Sequence, residues 1–311
     1  MSPLLSVIIC THNPRQPYLA KVLAALRSQS LSTQHWELLL IDNASDRRLE
    51  TEVSLAWHPH ARHVREDKIG LTAARLCGIE NANAPLLVFV DDDNVLQSDY
   101  LRQTIDIFQA DADLGAIGGK SLPEFETEPE PWIRSVWGCL ALRDFGETAL
   151  TYRFGVDSKQ HPDFAPVGAG MAIRRAAAQQ YRDCILNDPH RKSFDRTGKS
   201  LQSGGDCDIN LTILSAGWSV GYFPQLELLH LIPANRIDRD YLARLNRASC
   251  RSWVQVLDVH QIRPWQKIPA WSVLPRKLKA LLSYQPWKSP AHYIRWQGAC
   301  GLFEGLETLS N

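Results

Sequence analysis

The sequence runs Leu86-Leu87-Val88-Phe89-Val90 and then Asp91-Asp92-Asp93-Asn94, so that a short apolar stretch stops at three consecutive carboxylates. An apolar run without alternation predicts a strand buried on both faces, the kind found in the middle of a parallel α/β sheet. In open α/β sheets the ligand crevice lies outside the carboxyl ends of the strands, which is where these aspartates fall. The stretch therefore predicts an α/β fold and a ligand site at one edge of its sheet.

Three adjacent carboxylates are costly to ionise together, because each negative charge disfavours the ionisation of its neighbours. A bound cation relieves that repulsion. Oxygen ligands suit Mg²⁺ or Mn²⁺, which bind one or two protein carboxylates together with substrate phosphates. The alternative is that the aspartates only cap the next helix, but Ser98 or Asp99 is better placed to cap a pattern that begins near Tyr100. We therefore expect a metal site at residues 91–93.

The 311-residue chain is 44% hydrophobic, enough to bury a sizeable core as one large α/β domain or as a domain with an appended module. Lys and Arg together number 34, as do Asp and Glu, so there is no overall basic field to hold nucleic acid. The seven cysteines form no C-x-x-C pair, and no stretch reaches the ~20 apolar residues that span a bilayer. Without a signal-peptide pattern, the sequence predicts a cytoplasmic protein with reduced thiols and no membrane-spanning segment.

Apolar periodicity predicts strands that alternate with helices, the arrangement that produces a parallel sheet. Residues 122–164, with clusters of Pro, Glu and Trp, predict an irregular excursion over the sheet, and residues 187–203 predict a mobile polar stretch. The predicted strands are residues 4–10, 36–41, 86–90, 115–119 and 165–173, and the predicted helices are residues 18–29, 71–81, 99–109, 175–181 and 209–216.

Five further segments form a series along the chain. None of them is decisive alone, but their order is specific. They are residues 6–13 (Ser-Val-Ile-Ile-Cys-Thr-His-Asn), 40–45 (Leu-Ile-Asp-Asn-Ala-Ser), 70–78 with Ala74-Arg75, 168–171 (Gly-Ala-Gly-Met) and 204–206 (Gly-Gly-Asp).

Together with the acidic stretch, this series resembles the motifs of the family 2 glycosyltransferases, inverting enzymes with the GT-A fold that use nucleotide-activated sugars. The resemblance covers residues 6–236. It implies a GT-A type, Rossmann-like, mixed and mostly parallel sheet flanked by helices, with a C-terminal helical appendage. The implied boundaries are a catalytic domain at residues 1–236 and a helical, basic and aromatic region at residues 237–311.

The resemblance also implies a metal site, in which Asp93 holds Mn²⁺ or Mg²⁺ and Asp91 supports the ribose or a water of the metal. Such an ion stabilises the charge that develops on the departing nucleotide. His230 corresponds to a third metal or diphosphate contact. A lone histidine in an apolar segment is also typical of a hydrogen-bonded core residue, so both interpretations stay open for His230.

The nucleotide-binding residues implied by the resemblance are Thr11, Asn13, Asp42, Arg75, Asp91 and Asp92. Asp42 corresponds to the aspartate that accepts a hydrogen bond from the base. Structural interpretations compete with these roles: Asp42 shapes a turn, Thr11 ends a strand, and Arg75 pairs with a surface acid.

An inverting transfer needs a base that removes a proton from the acceptor hydroxyl as it attacks the anomeric carbon. The resemblance puts Asp206 in that position, at the start of a helix that would fix its direction. Asp208 is the alternative base, although a helix-capping role is favoured for it. Gly205 departs from the glutamate that the family usually has before this aspartate.

The C-terminal region carries a separate signal. Residues 259–301 contain seven Lys or Arg and no Asp or Glu, with Trp265, Trp271, Trp287 and Trp296 interleaved. This mixture is typical of a surface that contacts anionic lipid headgroups. The alternative is a helical appendage whose aromatic side chains pack on the catalytic domain and whose charges face water. No nucleic-acid module accompanies the basic residues, so no nucleic-acid partner is expected.

These observations predict a metal-dependent inverting glycosyltransferase that takes a sugar from a nucleotide donor, with a UDP-sugar favoured. The expected acceptor is a glycan or a lipid-linked molecule of polysaccharide or glycolipid assembly. The expected location is cytoplasmic, with possible peripheral contact at the inner face of the cell membrane. A sugar-nucleotide pyrophosphorylase is one alternative, although residues 11–15 are poor in the glycine that its phosphate loop needs. A non-catalytic sugar-nucleotide-binding protein is the other.

Overall fold

The central element of the computed structural model is a nine-stranded mixed sheet, and the structure describes residues 2–155, 159–198 and 200–309. Part of the predicted excursion at 122–164, position 199 of the predicted polar stretch at 187–203, the first residue of the predicted catalytic domain and the last two of the C-terminal region lie outside these ranges. The strands are β1 (Leu5–Thr11), β2 (Trp36–Asn43), β3 (Ala61–Glu66), β4 (Leu86–Asp91), β5 (Asn94–Leu96), β6 (Leu114–Phe125), β7 (Leu150–Tyr152), β8 (Ala172–Arg174) and β9 (Ser219–Ile232).

The helices cover the faces of this sheet and one of its ends. Asp238 and Ser289 cap two of them, since each side chain accepts a hydrogen bond from a backbone N–H of the first turn. The α-helices are α1 (Gln16–Arg27), α2 (Leu49–Glu52), α3 (Leu71–Asn81), α4 (Tyr100–Ala110), α5 (Arg175–Asn187), α6 (Gly205–Ser215), α7 (Arg239–Val259), α8 (Val273–Tyr284) and α9 (Pro290–Glu307). Shorter 3₁₀ segments are Thr33–His35, Pro131–Leu140, Pro189–Phe194, Ala234–Ile237 and Ala270–Ser272.

The strand order is β3-β2-β1-β4-β8-β6-β9-β5, and β7 pairs with β9. The pairs β1–β2, β1–β4, β2–β3 and β6–β9 are parallel, whereas each antiparallel pair extends over three residue pairs or fewer. The prediction of a mixed, mostly parallel sheet flanked by helices is therefore confirmed. Because β1, β2 and β4 run in parallel, their carboxyl ends meet at one edge, where ligands bind in such sheets.

Strand β4 lies between β1 and β8 and is buried on both faces, as its apolar run predicts. Leu86, Val88 and Val90 pack into the core on the side of α1 and α4. Leu87 and Phe89 face the other way, into the core that α3, α5 and α6 cover. This two-sided burial leaves the run no polar position until it reaches the sheet edge.

Several segments differ from the predictions, and the short strands β5 and β7 are two of them. The edge strand β3 was not expected, because its sequence Ala-Arg-His-Val-Arg-Glu is mostly polar. The strand predicted at 165–173 shrinks to β8, since Gly170 has a positive φ of 75° and breaks the extended chain before it. The polar stretch 187–203 contains the 3₁₀ segment Pro189–Phe194, whose Arg191 and Phe194 are buried.

The C-terminal helices pack on the rest of the molecule. Val256 and Leu257 of α7 join the core of α3, α5 and α6. Leu242 and Leu245 of α7 and Ile294 of α9 pack against the segment Pro131–Leu140. Among the described helices, none combines the length and hydropathy needed to cross a membrane.

Candidate active site

A cleft of about 550 Å³ opens at the carboxyl edge of the sheet, a volume within the usual range of small-molecule sites. Its walls come from distant parts of the sequence. Thr11 ends β1, Asn43 ends β2, and the three aspartates follow β4, while α7 closes one side with Asn246, Ser249, Cys250 and Trp253. The predicted ligand site and the parallel strand ends therefore coincide.

The three aspartates at the end of β4 differ in their acidity. Burial, with the nearby charge of Asp93, raises the pKa of Asp91 to about 6 and the pKa of Asp92 to about 7. Burial also acts to raise the pKa of Asp93, but its interactions with His230 and Arg236 outweigh this effect and lower the value to about 2. In the free protein, Asp91 and Asp92 are thus costly to ionise, mainly because they are buried.

His230 lies beside Asp93 because the short strand β5 pairs with β9. Asn94 is opposite His230 in this pairing, and the backbone N–H of Leu231 donates to the carbonyl oxygen of Asp93 at 2.8 Å. His230 Nε2 is 3.4 Å from Asp93 Oδ2, and Arg236 Nη2 is 3.9 Å from the same oxygen. His230 Nδ1 is buried and has no hydrogen-bond partner among the described residues.

These side chains fit a divalent ion whose coordination a substrate completes. Across residues 2–155, 159–198 and 200–309, no three His, Cys, Asp or Glu side chains form a ready metal site. Mg²⁺ and related ions commonly bind one or two carboxylates and take the remaining ligands from phosphates and water. Asp93 and His230, with Asp91 nearby, are of the chemical type of that smaller donor set, and metal binding by them stays a prediction.

Arg75 joins two acidic side chains in the same cleft. Its Nη1 atom is 2.8 Å from Asp206 Oδ1 and 3.0 Å from Asp195 Oδ2. Burial disfavours the charge on Arg75, but Asp206 and Asp195 outweigh burial and raise the pKa of the guanidinium. The backbone N–H of Gly168 donates to the other oxygen of Asp206 at 2.8 Å. Asp206 is therefore held in one orientation while 26% of its side chain remains exposed.

Two glycines make this arrangement possible. A Cβ atom at Gly168 would overlap the Arg75 guanidinium and the Asp206 carboxyl, so only glycine allows the backbone to reach Asp206. A Cβ atom at Gly205 would overlap the carboxyl of Asp195. The carboxyl group of Asp195, which comes from the polar stretch before α6, thus occupies the space that a side chain at position 205 would fill.

Asp208 has a different environment from Asp206. It is fully buried, and its Oδ1 atom accepts hydrogen bonds from Arg191 at 2.7 Å and lies 2.8 Å from His260 Nε2. Helix α6 has Gly204 as its N-cap and shows no side-chain capping bond. The capping role favoured for Asp208 is therefore wrong, and this residue is not among the described residues that line the cleft.

The predicted nucleotide residues divide into two groups. Thr11, Arg75, Asp91 and Asp92 line the cleft, and the Thr11 hydroxyl donates to Asp92. Asn13 lies outside the described lining residues, and its side chain bonds to Asp46 on the neighbouring loop. The roles of all these residues in nucleotide binding stay predictions.

Asp42 is used within the protein itself. Its Oδ1 atom accepts the Ser45 backbone N–H at 3.0 Å, and its Oδ2 atom accepts from the Leu49 backbone at 3.1 Å and from Arg65 at 2.8 Å. This geometry supports the turn-shaping interpretation, and base binding by Asp42 stays a prediction. Its neighbour Asn43 lines the cleft instead.

Sequence reasoning missed four charged residues of the cleft: Asp195, Arg196, Arg236 and Arg143. The first two lie in a stretch whose composition resembles an exposed loop, so no local pattern marks them. Arg236 follows β9 and stands at the proposed domain boundary. The one available signal was Gly205. Since the family usually has a glutamate at this position, its absence indicated that a carboxylate from elsewhere in the chain could take its place.

The sequence profile of glycosyl transferase family 2 matches residues 6–182, more than half of the chain. The chain belongs to glycosyl transferase family 2. The family predicted from the sequence is thereby confirmed. The matched region includes Arg75 and the acidic edge of this glycosyl transferase family 2 member, and it ends before Asp206 and His230.

Relatives of this family 2 chain occur among fly and bacterial proteins. Polypeptide N-acetylgalactosaminyltransferase 3 of Drosophila melanogaster is 34% identical over 94 residues, which are 29% of this chain and 14% of that protein. The succinoglycan biosynthesis protein ExoM of Rhizobium meliloti (strain 1021) is 22% identical over 240 residues, covering 76% of this chain and 69% of ExoM. The first match thus spans a small part of the fly protein.

A solved structure shows the same fold. The crystal structure of S. aureus TarS residues 1–349 in complex with UDP superimposes with a TM-score of 0.54 at 13% identity, covering 97% of this chain and 90% of TarS. The complex of the same TarS fragment with UDP-GlcNAc gives 0.54 at 12% identity. The predicted GT-A type fold is confirmed by this likeness.

Proposed function

We propose that this protein is a metal-dependent inverting glycosyltransferase that moves a sugar from a nucleoside-diphosphate donor, favouring a UDP-sugar, to an acceptor hydroxyl. One observation carries the proposal. The cleft holds a partly exposed carboxylate, Asp206, that Arg75 and Gly168 fix in one orientation, and a separate acidic edge at residues 91–93, where burial and mutual repulsion raise the pKa of Asp91 and Asp92. A base on one side and a site for a cation with a diphosphate on the other are the two requirements of this reaction.

In the proposed reaction the acceptor oxygen attacks the anomeric carbon of the donor sugar. The bond from that carbon to the diphosphate oxygen breaks, and its electron pair leaves with the nucleotide. Asp206 takes the proton of the acceptor hydroxyl. Attack from the face opposite to the leaving group inverts the anomeric configuration.

The fixed orientation of Asp206 is the main contribution of its neighbours. Arg75 and the Gly168 N–H occupy one lone pair on each oxygen, so the carboxylate cannot rotate away from the cleft. Asp195 in turn holds Arg75 from the other side. We assign Asp195 and Arg75 as positioning residues and Asp206 as the catalytic base.

Asp93 and His230 would hold the divalent ion, Mn²⁺ or Mg²⁺, with Asp91 in support. When bound, such an ion supplies positive charge to the leaving diphosphate. Arg236 and Arg196 line the same part of the cleft and add fixed positive charge there. Thr11 and Asp92, which line the cleft, are assigned to contact the nucleoside.

ExoM is named as a protein of succinoglycan biosynthesis, which favours an acceptor of polysaccharide or glycolipid assembly for this chain as well. A glycan or lipid-linked acceptor, a cytoplasmic location and peripheral contact with the inner face of the cell membrane belong to the same proposal. A pyrophosphorylase is disfavoured by the family to which the chain belongs.

The first test is thermal unfolding of the purified protein with UDP, GDP, dTDP or CMP, each with and without Mn²⁺. A ligand that binds the native state stabilises it by RT ln(1 + [L]/Kd), about 2.7 kcal/mol at a hundredfold excess over Kd. We expect a rise in Tm that needs UDP and Mn²⁺ together and that is lost in Asp93→Asn. Stabilisation by UDP that is equal with and without Mn²⁺ would contradict the metal site, and stabilisation without any sugar transfer would favour a non-catalytic binding protein.

A further inference from the structure

Helix α8 and the turns on either side of it expose an unusual amount of apolar surface. Trp271 is 78% exposed, Leu274 65%, Leu282 68% and Trp287 66%. Of the eleven strongly exposed large apolar side chains among the described residues, six lie between positions 271 and 287, so the exposure is concentrated rather than scattered. Concentrated apolar surface of this kind marks an interaction site.

The exposed leucines form one stripe. Leu274, Leu278 and Leu282 follow one another at four-residue spacing, which places them on one face of α8. The opposite face packs on the protein: Ala280 is buried, and Lys277 forms an ion pair with Glu304 of α9 at 2.6 Å. The stripe is therefore not needed to attach α8 to the fold.

The tryptophans of this region separate into two pairs. Trp265 packs against the core, and Trp296 donates its indole N–H to the Lys277 carbonyl at 3.3 Å. Trp271 and Trp287 instead stand at the two ends of the leucine stripe and face solvent. The packing interpretation of the C-terminal sequence is thus confirmed for Trp265 and Trp296, and the lipid-contact interpretation stays a prediction for Trp271 and Trp287.

Two lysines lie beside the stripe: Lys279 is about 100° around α8 from the centre of the stripe, and Lys288 follows Trp287. Arg276, in contrast, lies on the other side of the helix. Arg276, Lys279 and Lys288 are exposed, and within the described part of the chain no carboxylate lies at ion-pair distance from any of them. No Asp or Glu occurs anywhere between residues 259 and 303. The stripe is apolar, has lysines beside it and is free of acidic side chains.

We propose that this face, formed by Trp271, Leu274, Leu278, Leu282 and Trp287 with the basic residues beside them, docks on the surface of an anionic lipid bilayer. An apolar helical face with Trp at its ends and Lys or Arg at its margin is the composition of helices that lie in the membrane interface. Indole rings favour the headgroup level, where an apolar ring meets a polar boundary. Anionic headgroups supply the charge that the chain lacks here.

A second copy of the chain is the less favourable occupant. Docking α8 on α8 would bring Lys279 and Lys288 of one protomer close to the same lysines of the other, and like charges across an interface oppose binding. The membrane satisfies the apolar stripe and the cations together.

The position of α8 suits an enzyme that works on a lipid-linked acceptor. Helix α8 packs on α9, α9 packs along α7, and α7 forms one wall of the cleft. This link rests on the proposed function, but the docking face does not, because vesicle binding is measured without donor or metal.

The test is co-sedimentation of the whole protein with vesicles of phosphatidylcholine alone or of phosphatidylcholine mixed with phosphatidylglycerol. We expect binding only to the mixed vesicles, and less of it in high salt. The double variant Leu278→Glu/Leu282→Glu should weaken binding at least tenfold. Lys279→Gln and Lys288→Gln should each weaken it about fivefold, because a basic residue near an anionic surface contributes about that factor.

The matched control is Leu186→Glu on α5, since Leu186 is also a strongly exposed leucine but lies outside the residues 271–288 that form the proposed face. It should bind vesicles as the unmodified protein does, and all variants should unfold at the same temperature because they alter surface positions. Vesicles that contain brominated lipids should quench the tryptophan fluorescence of the Trp271→Phe/Trp287→Phe variant less than that of the unmodified protein. The proposal would be overturned if the Leu278→Glu/Leu282→Glu variant bound the mixed vesicles as tightly as the unmodified protein. It would also be overturned if the unmodified protein did not bind vesicles that contain phosphatidylglycerol. A lipid-free dimer that this variant dissociates would identify the face as a contact between copies instead.

Discussion

Both edges of the central sheet carry buried carboxylates, but the two edges treat them differently. At the amino edge, Glu37 accepts hydrogen bonds from the Ser6 hydroxyl at 2.6 Å and from the backbone and side chain of Asn83 at 2.6 and 3.0 Å. Burial acts to raise the pKa of Glu37, but these bonds outweigh it and lower the value. At the carboxyl edge, the pKa values of Asp91 and Asp92 are raised.

This difference in pKa distinguishes a carboxylate that stabilises the fold from carboxylates that serve a ligand site. A carboxylate whose oxygen atoms are all satisfied by its own chain stabilises the fold and has nothing left to offer a ligand. Carboxylates that crowd one another destabilise the free protein and gain when a cation or a substrate arrives. Substitutions at the cleft should therefore cost activity and spare stability, and a substitution at Glu37 should do the reverse.

The largest effect is expected for Asp206→Asn. Loss of a general base typically lowers kcat by about 10²- to 10⁴-fold, and the amide keeps the shape that Arg75 and Gly168 surround. Donor affinity, measured by calorimetry, should stay close to that of the unmodified enzyme. Asp183→Asn, at an exposed aspartate of α5, is the control and should leave kcat unchanged. Turnover of Asp206→Asn near the control value would remove Asp206 from the mechanism.

The next effect is expected for Asp195→Asn, which leaves Arg75 with one carboxylate partner. We expect kcat to fall about tenfold, roughly 1.4 kcal/mol of transition-state stabilisation, while the KM for the donor changes little. Gly205→Ala, which pushes a methyl group against Asp195, should act in the same direction.

The double variant Gly205→Glu/Asp195→Gly provides the decisive comparison. It moves the carboxylate from the polar stretch to the position where the family usually has it. If Asp195 acts by holding Arg75, the double variant should recover part of the activity that Asp195→Gly loses. An equal loss in both would mean that Asp195 matters only for packing.

Glu37→Gln tests the amino edge. The lowered pKa of Glu37 means that its charge stabilises the fold above the unfolded-state pKa of about 4.3, and that this contribution is lost as the pH falls through the folded-state value. The variant should lose about 1–3 kcal/mol of unfolding free energy at pH 7, and the loss should shrink below pH 4. Urea unfolding at both pH values measures it, and an unchanged kcat completes the contrast with the cleft.

The smallest effect is expected for Asp92→Asn in metal-free buffer. Because the pKa of Asp92 is raised to about 7, its negative charge disfavours the fold, and the stability of the unmodified protein should fall as the pH rises from about 4 to 7. The amide still accepts a bond from Thr11, so the variant should gain about 1 kcal/mol at pH 8 and little at pH 4. If the variant instead loses stability at pH 8, the charge of Asp92 stabilises the fold, as the charge of Glu37 is expected to do at the amino edge.

The parts of the fold that follow from local pattern were predictable. The run at 86–90 has no polar residue because both of its faces are buried, and helix α3 begins and ends at the predicted residues. Strand β3 was not predictable, since an edge strand with mostly polar residues has no apolar pattern. The break before β8 depends on the positive φ of Gly170, which no apolar pattern indicates.

In the candidate site, too, residues marked by a local sequence pattern were predictable, and residues brought in by tertiary packing were not. The acidic edge could be located because three carboxylates after a buried strand are a local signal. His230 was proposed only through the family resemblance, and the pairing of β5 with β9 explains why it lies beside Asp93. Asp195 and Arg236 reach the cleft through tertiary packing alone, so no window of sequence around them indicates their position.

The contribution of α7 to the cleft wall bears on how this protein can be divided. The family profile ends at residue 182, and the implied catalytic domain ends at 236, yet Asn246 and Trp253 face the same cleft as Asp206. A fragment cut at 182 would lack the proposed base, and one cut at 236 would lack a side of the pocket and the apolar partners of the segment Pro131–Leu140. The smallest piece able to bind donor therefore extends at least through α7, well past the boundary that sequence similarity draws.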